Sequence, residues 1–126
     1  MTDVDNSFVY DPDGAPHDLP TAGQLLDAVR VWLDDEVVPA LEGRMKFHAR
    51  VAANMLGIVE RELEFGPDQR ARHAERMADF GVVDEQELAA RVAGGDFDDQ
   101  ADELTAVLRE TVRDKLRVAN PGYLGA

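Results

Sequence analysis

The residues with the clearest chemical potential lie in one basic segment near the middle of the chain. They are Arg44, Lys46, His48, Arg50 and Asn54. Guanidinium and ammonium groups bind phosphates and carboxylates, and a histidine can also exchange a proton near neutral pH. No acidic residue interrupts this segment between positions 43 and 53. The segment therefore predicts a binding site for an anionic ligand or for the acidic surface of a partner.

A structural role for His48 competes with that interpretation. At about 100° per residue, Arg44 and His48 fall inside the apolar arc of one helix rather than opposite it. Polar groups in a buried arc need partners, because unpaired burial costs roughly 1–3 kcal/mol or more. The acidic run 34–36 ends the preceding helix and would lie nearby if the two helices pack antiparallel. We therefore expect a mostly buried His48, hydrogen-bonded to one of these acids.

The elements that must position these residues are all helices. No segment alternates with a two-residue period, so strands are not predicted. Capping-box spacing opens helices at Thr21 and Asp84, and helices are expected to end at Gly66, which Pro67 follows, at Gly81 and at 94–95. The sequence predicts an all-α bundle of three long and two short helices, with boundaries near 21–38, 43–65, 68–80, 84–93 and 99–119. Whether Pro39 breaks or kinks the first helix stays open.

Composition sets the limits on function. The 126 residues carry a net charge of −13 and no cysteine, which argues against nucleic acid, anionic membranes and thiol chemistry. Residues 1–19 form an acidic arm that we expect to be disordered, and residues 20–124 one domain. The N-terminus lacks signal-peptide features, and no apolar run reaches the roughly 20 residues of a membrane span, so a cytoplasmic protein is expected.

Other charged groups fit structural roles better than catalytic ones. Glu110 and Asp114 each lie three residues before an arginine, Arg113 and Arg117, so paired surface charges explain that stripe. The cluster Arg70, Arg72, His73 and Arg76 is interpreted as a solvated face. The acid pairs 84/87 and 99/102 have a spacing that suits magnesium, but they fall at helix starts, where acids serve as caps. We expect no metal, no cofactor and no catalytic residues.

Four stretches carry a resemblance to a known family. They are Pro20-Thr-Ala-Gly-Gln-Leu-Leu, Glu36-Val-Val-Pro-Ala-Leu-Glu42, Arg44-Met-Lys-Phe-His-Ala-Arg-Val-Ala-Ala-Asn54 and Leu108-Arg-Glu-Thr-Val-Arg-Asp-Lys-Leu-Arg-Val-Ala-Asn-Pro121. From about residue 19 to residue 124 the chain resembles a small bacterial family, the domain of unknown function 6285 family. Arg44, His48, Arg50 and Asn54 match its central motif. Arg113, Lys115, Asn120 and Pro121 match its C-terminal motif.

The resemblance implies a role beside an enzyme rather than as one. Members of the family are typically encoded next to an aminoglycoside-phosphotransferase-like kinase and an acyl-CoA dehydrogenase. It therefore implies a non-catalytic accessory subunit of a hydroxyacyl-CoA kinase in acyl-CoA catabolism, as in levulinate breakdown. The kinase is the expected partner, the dehydrogenase is a further candidate, and a homo-oligomer stays open. The binding residues would be Arg44, Lys46, His48, Arg50, Asn54, Arg113, Lys115 and Asn120.

One alternative function remains from a different class. A small helical enzyme or ligand-binding protein could act on a phosphorylated or CoA-linked metabolite, with Arg44, His48 and Arg50 gripping the phosphate. No serine nucleophile lies near a histidine, and no glycine-rich phosphate loop occurs. The accessory-subunit interpretation is therefore preferred.

Overall fold

The computed structural model describes residues 17–125, and all regular structure within that range is helical. The α-helices are α1 (Ala22–Trp32), α2 (Val38–Ala40), α3 (Gly43–Asp79), α4 (Glu85–Ala93) and α5 (Ala101–Ala119). A π-helical turn, Leu33–Val37, joins α1 to α2, and 3₁₀ turns occupy Asp98–Gln100 and Pro121–Leu124. The all-α prediction is confirmed. The helix count differs, because the described residues form two long helices, α3 and α5, and two shorter ones, α1 and α4, besides the three-residue α2.

The missing boundary is the one expected at Phe65-Gly66-Pro67. Pro67 lies inside α3, which continues without interruption to Asp79. A proline normally disfavours helical geometry in the preceding residue, because its Cδ meets that residue's Cβ and backbone. Here the preceding residue is Gly66, which has no Cβ, so this clash is reduced. Gly66, which was expected to end the helix, therefore allows the helix to continue through Pro67.

Pro39 does not break the first helical segment. The backbone stays helical through Pro39 and becomes extended only at Leu41. The turn before the proline is π-helical, and the Val38 N–H donates to the Leu33 carbonyl. A π-helical turn rearranges the local hydrogen-bond ladder, which a proline would interrupt because it has no N–H to donate. The local sequence thus absorbs Pro39 without ending the helix.

The chain divides into two compact units, with the boundary after Glu60. In the second unit, Met77, Phe80, Val82, Leu88 and Phe97 form a buried core, and the rings of Phe80 and Phe97 meet edge to face at 5.1 Å. Gly81 (φ +67°) and Gly95 (φ +84°) end α3 and α4. In both cases the following N–H donates to a carbonyl five residues earlier, as in a Schellman motif. Both predicted glycine stops are confirmed.

The first unit, described from residue 17 to residue 60, buries little apolar volume. Its buried α3 residues are Ala49, Ala53 and Gly57, one at each turn. The half-buried positions of the preceding helical segment include a stripe of Leu26, Arg30, Leu33 and Val37. Arg30 Nε donates to Glu60 Oε1 at 2.9 Å and joins the two stripes. Hydrogen bonding to Glu60 is the main cause of a raised Arg30 pKa, and burial opposes it.

The N-terminus of α1 follows its prediction closely. The Gln24 N–H donates to the Thr21 hydroxyl at 3.2 Å, and the Thr21 N–H donates to the Gln24 side chain at 2.8 Å. This reciprocal pair is the expected capping box. The predicted disordered arm falls almost entirely on residues 1–16, which lie outside the described residues. The prediction of a single domain over residues 20–124 stays a prediction.

Candidate functional site

The most unusual surface of the protein is an exposed apolar face on the first half of α3. We call this surface, formed by Phe47, Val51, Met55 and Val59, the outer face. Phe47 is 64% exposed and Met55 is 60% exposed. Val51 is two residues from both Ala49 and Ala53, which at 100° per residue places it on the opposite side of the helix from the buried stripe. α3 therefore has one face packed with small residues and a second, apolar face that is open.

His48 lies on the outer face, and the prediction of its burial is wrong. The side chain is exposed, and its Nε2 accepts a hydrogen bond from Arg44 Nε at 3.2 Å. The predicted acids do not bond to it, and Asp34 instead lies 3.8 Å from Arg30. The physical reason is the small-residue stripe, because Ala49 and Ala53 turn the wider apolar arc, with Arg44 and His48 inside it, away from the packed side. No buried charge then needs neutralising.

The remaining residues of the central motif do not share one position. Arg50 and Asn54 are exposed at the edge of the outer face, next to Phe47 around the helix. Lys46 is half-buried and lies on the packed side of α3 instead. The ring of His48 meets the ring of Phe47 edge to face, with centroids 5.8 Å apart. The structure thus brings Arg44, His48 and the apolar residues together, and it separates Lys46 from them.

A second exposed apolar stripe lies on α1. Leu25, Val29 and Trp32 repeat at intervals of four and three residues, and each is about half exposed. Helical periodicity of 100° per residue puts these residues in the same apolar arc as Leu26 and Leu33. The structure divides that side, since Leu26 and Leu33 are half-buried while the other three face outward. The first unit therefore exposes apolar residues on both of its long helical segments.

The binding residues expected from the C-terminal motif have identifiable structural contacts. Arg113 Nη1 donates to Glu110 at 3.3 Å, which confirms that surface pair. Lys115 Nζ lies 3.4 Å from Glu85. Asn120 caps the end of α5, where its N–H donates to the Leu116 carbonyl at 2.8 Å. Exposed ion pairs of this kind contribute only about 0–1 kcal/mol to stability, so neither Arg113 nor Lys115 is held strongly in its position.

Asp114 is the main polar anchor of the second unit, although its sequence spacing indicated only a surface pair with Arg117. Its carboxylate accepts from Arg76 Nη2 at 2.9 Å and lies 3.4 Å from Arg72 Nη2. Burial raises the pKa of Asp114, but the hydrogen bond from Arg76 and the charges of both arginines outweigh it, so the pKa is lowered. The expected pair of Asp114 with Arg117 is wrong, and so is the solvated position of Arg76, whose side chain is 14% exposed.

Arg117 is held by an aromatic ring instead of a carboxylate. Its guanidinium lies over the ring of Phe65, 5.6 Å from the centroid. Within residues 17–125 no carboxylate lies within ion-pair distance of it. Sequence spacing favoured Asp114 as the partner, because residues three apart on a helix are neighbours. The two arginines contributed by α3 compete successfully for that carboxylate.

The acid pair 84/87 caps α4 as expected, but the pair 99/102 does not cap α5, whose N-cap residue is Gln100 and which has no side-chain capping hydrogen bond. Asp84 accepts from the Glu87 N–H at 2.8 Å, and Glu87 in turn accepts from the Val83 N–H at 3.2 Å. Across the described range, no three histidine or acidic side chains are grouped so as to hold a metal ion. Nor does any helix described there combine the length and apolar character needed to cross a membrane.

One feature of this site could have been found in the sequence but was missed. Ala49, Ala53 and Gly57 repeat every four residues, a spacing that lets helices approach closely. The larger residues Phe47, Val51 and Met55 also repeat every four residues and gave the stronger apolar pattern. The size of the side chains determines which of these two faces packs against the neighbouring helix, and a hydropathy pattern carries no information about size.

Comparison with known proteins identifies a family for the chain. A search of curated proteins and a search of solved structures found no match. The family model described as "Domain of unknown function (DUF6285)" matches residues 39–123. The match spans the outer face, the Asp114 anchor and the C-terminal motif. Because it covers well over half of the sequence, the chain belongs to the domain of unknown function 6285 family.

Proposed function

We propose that this protein is a non-catalytic accessory subunit that binds an aminoglycoside-phosphotransferase-like hydroxyacyl-CoA kinase through the outer face of α3. The single observation that carries the proposal is the presence of apolar residues on both sides of this helix. A helix that is apolar on both sides is normally covered on both sides. The packed side is occupied within the first unit, so the outer face is the surface available to a partner.

The charges on the outer face favour an acidic partner surface. Arg44 and His48 lie among the apolar residues, and Arg50 flanks them. When such a face is covered, its cationic groups lose water and must meet carboxylates or other acceptors. The partner surface should therefore combine an apolar ridge with acidic residues. The kinase itself comes from the family resemblance, and the surface chemistry is compatible with that choice.

The alternative in which Arg44, His48 and Arg50 grip one phosphate has less support. Arg44 and Arg50 are six residues apart on α3, which places them about 120° apart around the helix. Their guanidinium groups therefore do not converge on a small anion. Arg44 is also engaged with His48, since its Nε donates to the imidazole. An extended protein surface can contact both groups, whereas a single phosphate cannot easily do so.

The proposal is tested by mixing the protein with an aminoglycoside-phosphotransferase-like kinase, of the kind encoded next to members of this family, and separating the mixture by size-exclusion chromatography. Reversing Arg44 and Arg50 together to glutamate should weaken the complex, since disrupting buried interfacial charge pairs typically costs about 2–5 kcal/mol. The matched control reverses Arg70 and Arg109, two exposed arginines outside the outer face, and should leave binding intact. Kinase activity on a hydroxyacyl-CoA is then compared among the three mixtures. A kinase that is fully active alone and forms no complex at micromolar concentrations contradicts the proposal.

A further inference from the structure

A cleft in the second unit is lined by three arginines and two carboxylates. It is lined by Arg72, Glu110, Arg113, Asp114, Arg117 and Leu124, and its volume is about 530 Å³. That volume falls within the range of ordinary small-molecule sites. We name it the arginine cleft, and we propose that it binds a phosphate or diphosphate group of a small organic molecule. This inference does not depend on the proposed kinase partner, because none of its residues belongs to the outer face.

The charge balance in the arginine cleft favours an anion. Asp114, the more buried of its two carboxylates, already accepts a hydrogen bond from Arg76, which is not itself a lining residue, at 2.9 Å. Counting Arg76, four arginines face two carboxylates in this part of a protein whose total charge is −13. A cluster that is locally positive on an acidic chain attracts anions to that place and repels them elsewhere.

Arg117 is the best-prepared ligand of the cleft. Its guanidinium carbon lies 5.6 Å from the centroid of the Phe65 ring, a cation–π contact that uses none of its N–H donors. No carboxylate of the described chain neutralises it. A guanidinium that is not paired with a carboxylate suits the bidentate recognition of a phosphate.

The other two arginines can be recruited at little cost. Arg72 lies 3.4 Å from Asp114, and Arg113 lies 3.3 Å from Glu110. Both distances are long for charged hydrogen bonds, and both arginines are exposed, so these pairs exchange readily with a stronger acceptor. Arg113 and Arg117 are one turn apart on α5, so two adjacent phosphoryl groups could each meet one of them. This spacing favours a diphosphate over a single phosphate, and Leu124 offers an apolar contact for an organic group.

The test uses the full chain and measures binding of pyrophosphate and of ADP by calorimetry at low salt. We expect saturable binding at one site, competition between the two ligands and weakening by added sodium chloride. Arg117→Gln and Arg113→Gln should each reduce affinity about tenfold, since each removes charge-assisted hydrogen bonds. Arg109→Gln is the matched control, because it removes the same charge from α5 but does not line the cleft, and it should leave affinity unchanged.

A further variant gives a result of the opposite sign. Glu110→Gln removes the carboxylate that competes for Arg113, so it should tighten pyrophosphate binding, whereas a loss of folding would weaken it. Thermal melts of each variant show whether the fold is intact, and Arg113→Gln, which loses only an exposed pair, keeps the test valid if Arg117→Gln is unstable. The proposal is overturned if neither ligand binds up to about 10 mM, well above the millimolar scale of weak sites. It is equally overturned if Arg109→Gln loses as much affinity as Arg113→Gln.

Discussion

Replacing Phe47 and Met55 with alanine together tests whether the outer face is a binding surface rather than part of an internal core. Phe47 is 64% exposed and Met55 is 60% exposed. Because these side chains are already in contact with water, their removal takes little from the folded state. The free energy of unfolding should change by no more than about 0.5 kcal/mol. The melting transition of the double variant should therefore stay close to that of the parent protein.

Binding to the proposed kinase partner should respond very differently. An aromatic side chain buries roughly 200 Å², so covering the exposed part of Phe47 removes about 130 Å² from water. At about 25 cal/mol per Å², this amounts to about 3 kcal/mol, and Met55 adds about 1.5 kcal/mol. Alanine retains the Cβ contact, so the expected net loss is about 3 kcal/mol. That loss corresponds to binding that is about a hundredfold weaker.

The assay is a titration of kinase with the small protein, followed by calorimetry or by fluorescence anisotropy. The matched control replaces Val83 and Tyr123 with alanine, because these residues are 82% and 75% exposed but lie outside the outer face. The control should bind as the parent does. Unchanged binding of the Phe47/Met55 variant would refute the assignment of the interface. A large drop in its melting temperature would show that these side chains support the chain's own fold.

Two further predictions concern the internal contacts of each unit. Asp114→Asn should lower the free energy of unfolding by about 2–3 kcal/mol, because the substitution leaves the nearly buried Arg76 without its carboxylate partner. Glu110→Gln, which removes an exposed ion pair, should change the free energy of unfolding little. Since the Asp114 pKa is lowered from its ordinary value of 3.8, the stability that the ionised carboxylate adds to the fold is complete above that pH and is lost as the pH falls through the folded-state pKa. Acid titration should therefore show a difference between the Asp114→Asn and Glu110→Gln variants. Identical acid profiles would contradict this argument. Ala53→Leu should destabilise the protein by about 1–3 kcal/mol in denaturant titrations, because Ala53 is 3% exposed and a larger side chain does not fit there. Val51→Leu on the outer face is the control and should be nearly neutral. Equal effects of the two substitutions would mean that the packed side of α3 is misassigned.

Local signals in the sequence predicted the ends of helices well. Thr21 and Gln24 form their capping box, and Gly81 and Gly95 adopt the positive φ values that end α3 and α4. Each of these signals acts through atoms within a few residues of itself. The error at Pro67 arose because two local signals, a glycine and a proline, were taken to act in the same direction. In the structure Gly66 relieves the constraint that the proline imposes.

Tertiary contacts were harder to predict, because they depend on which of two possible sets of partners forms the more stable contact. The apolar arc of Phe47, Val51 and Met55 is evident in the sequence, but the helix packs on its alanine side instead. Asp114 likewise has a neighbour three residues away in Arg117, yet it pairs with Arg72 and Arg76 from another helix. In both cases the residues involved can be identified from the sequence, and only the three-dimensional arrangement selects the partner. The candidate binding residues followed the same pattern, since Lys46 turned to the packed side.

The polar residues inside the outer face fit a surface that must be both exposed and selective. A purely apolar face would bind many partners and would favour aggregation, since large exposed apolar patches do both. Arg44 and His48 change this, because covering them costs free energy unless the partner supplies acceptors at matching positions. A surface with the right apolar shape but without carboxylates would leave the Arg44 charge buried and unpaired, and so would be rejected. The same cost led to the expectation that His48 needs a buried acid within its own chain. In the free protein, exposure removes that cost, and in a complex the partner would have to meet it.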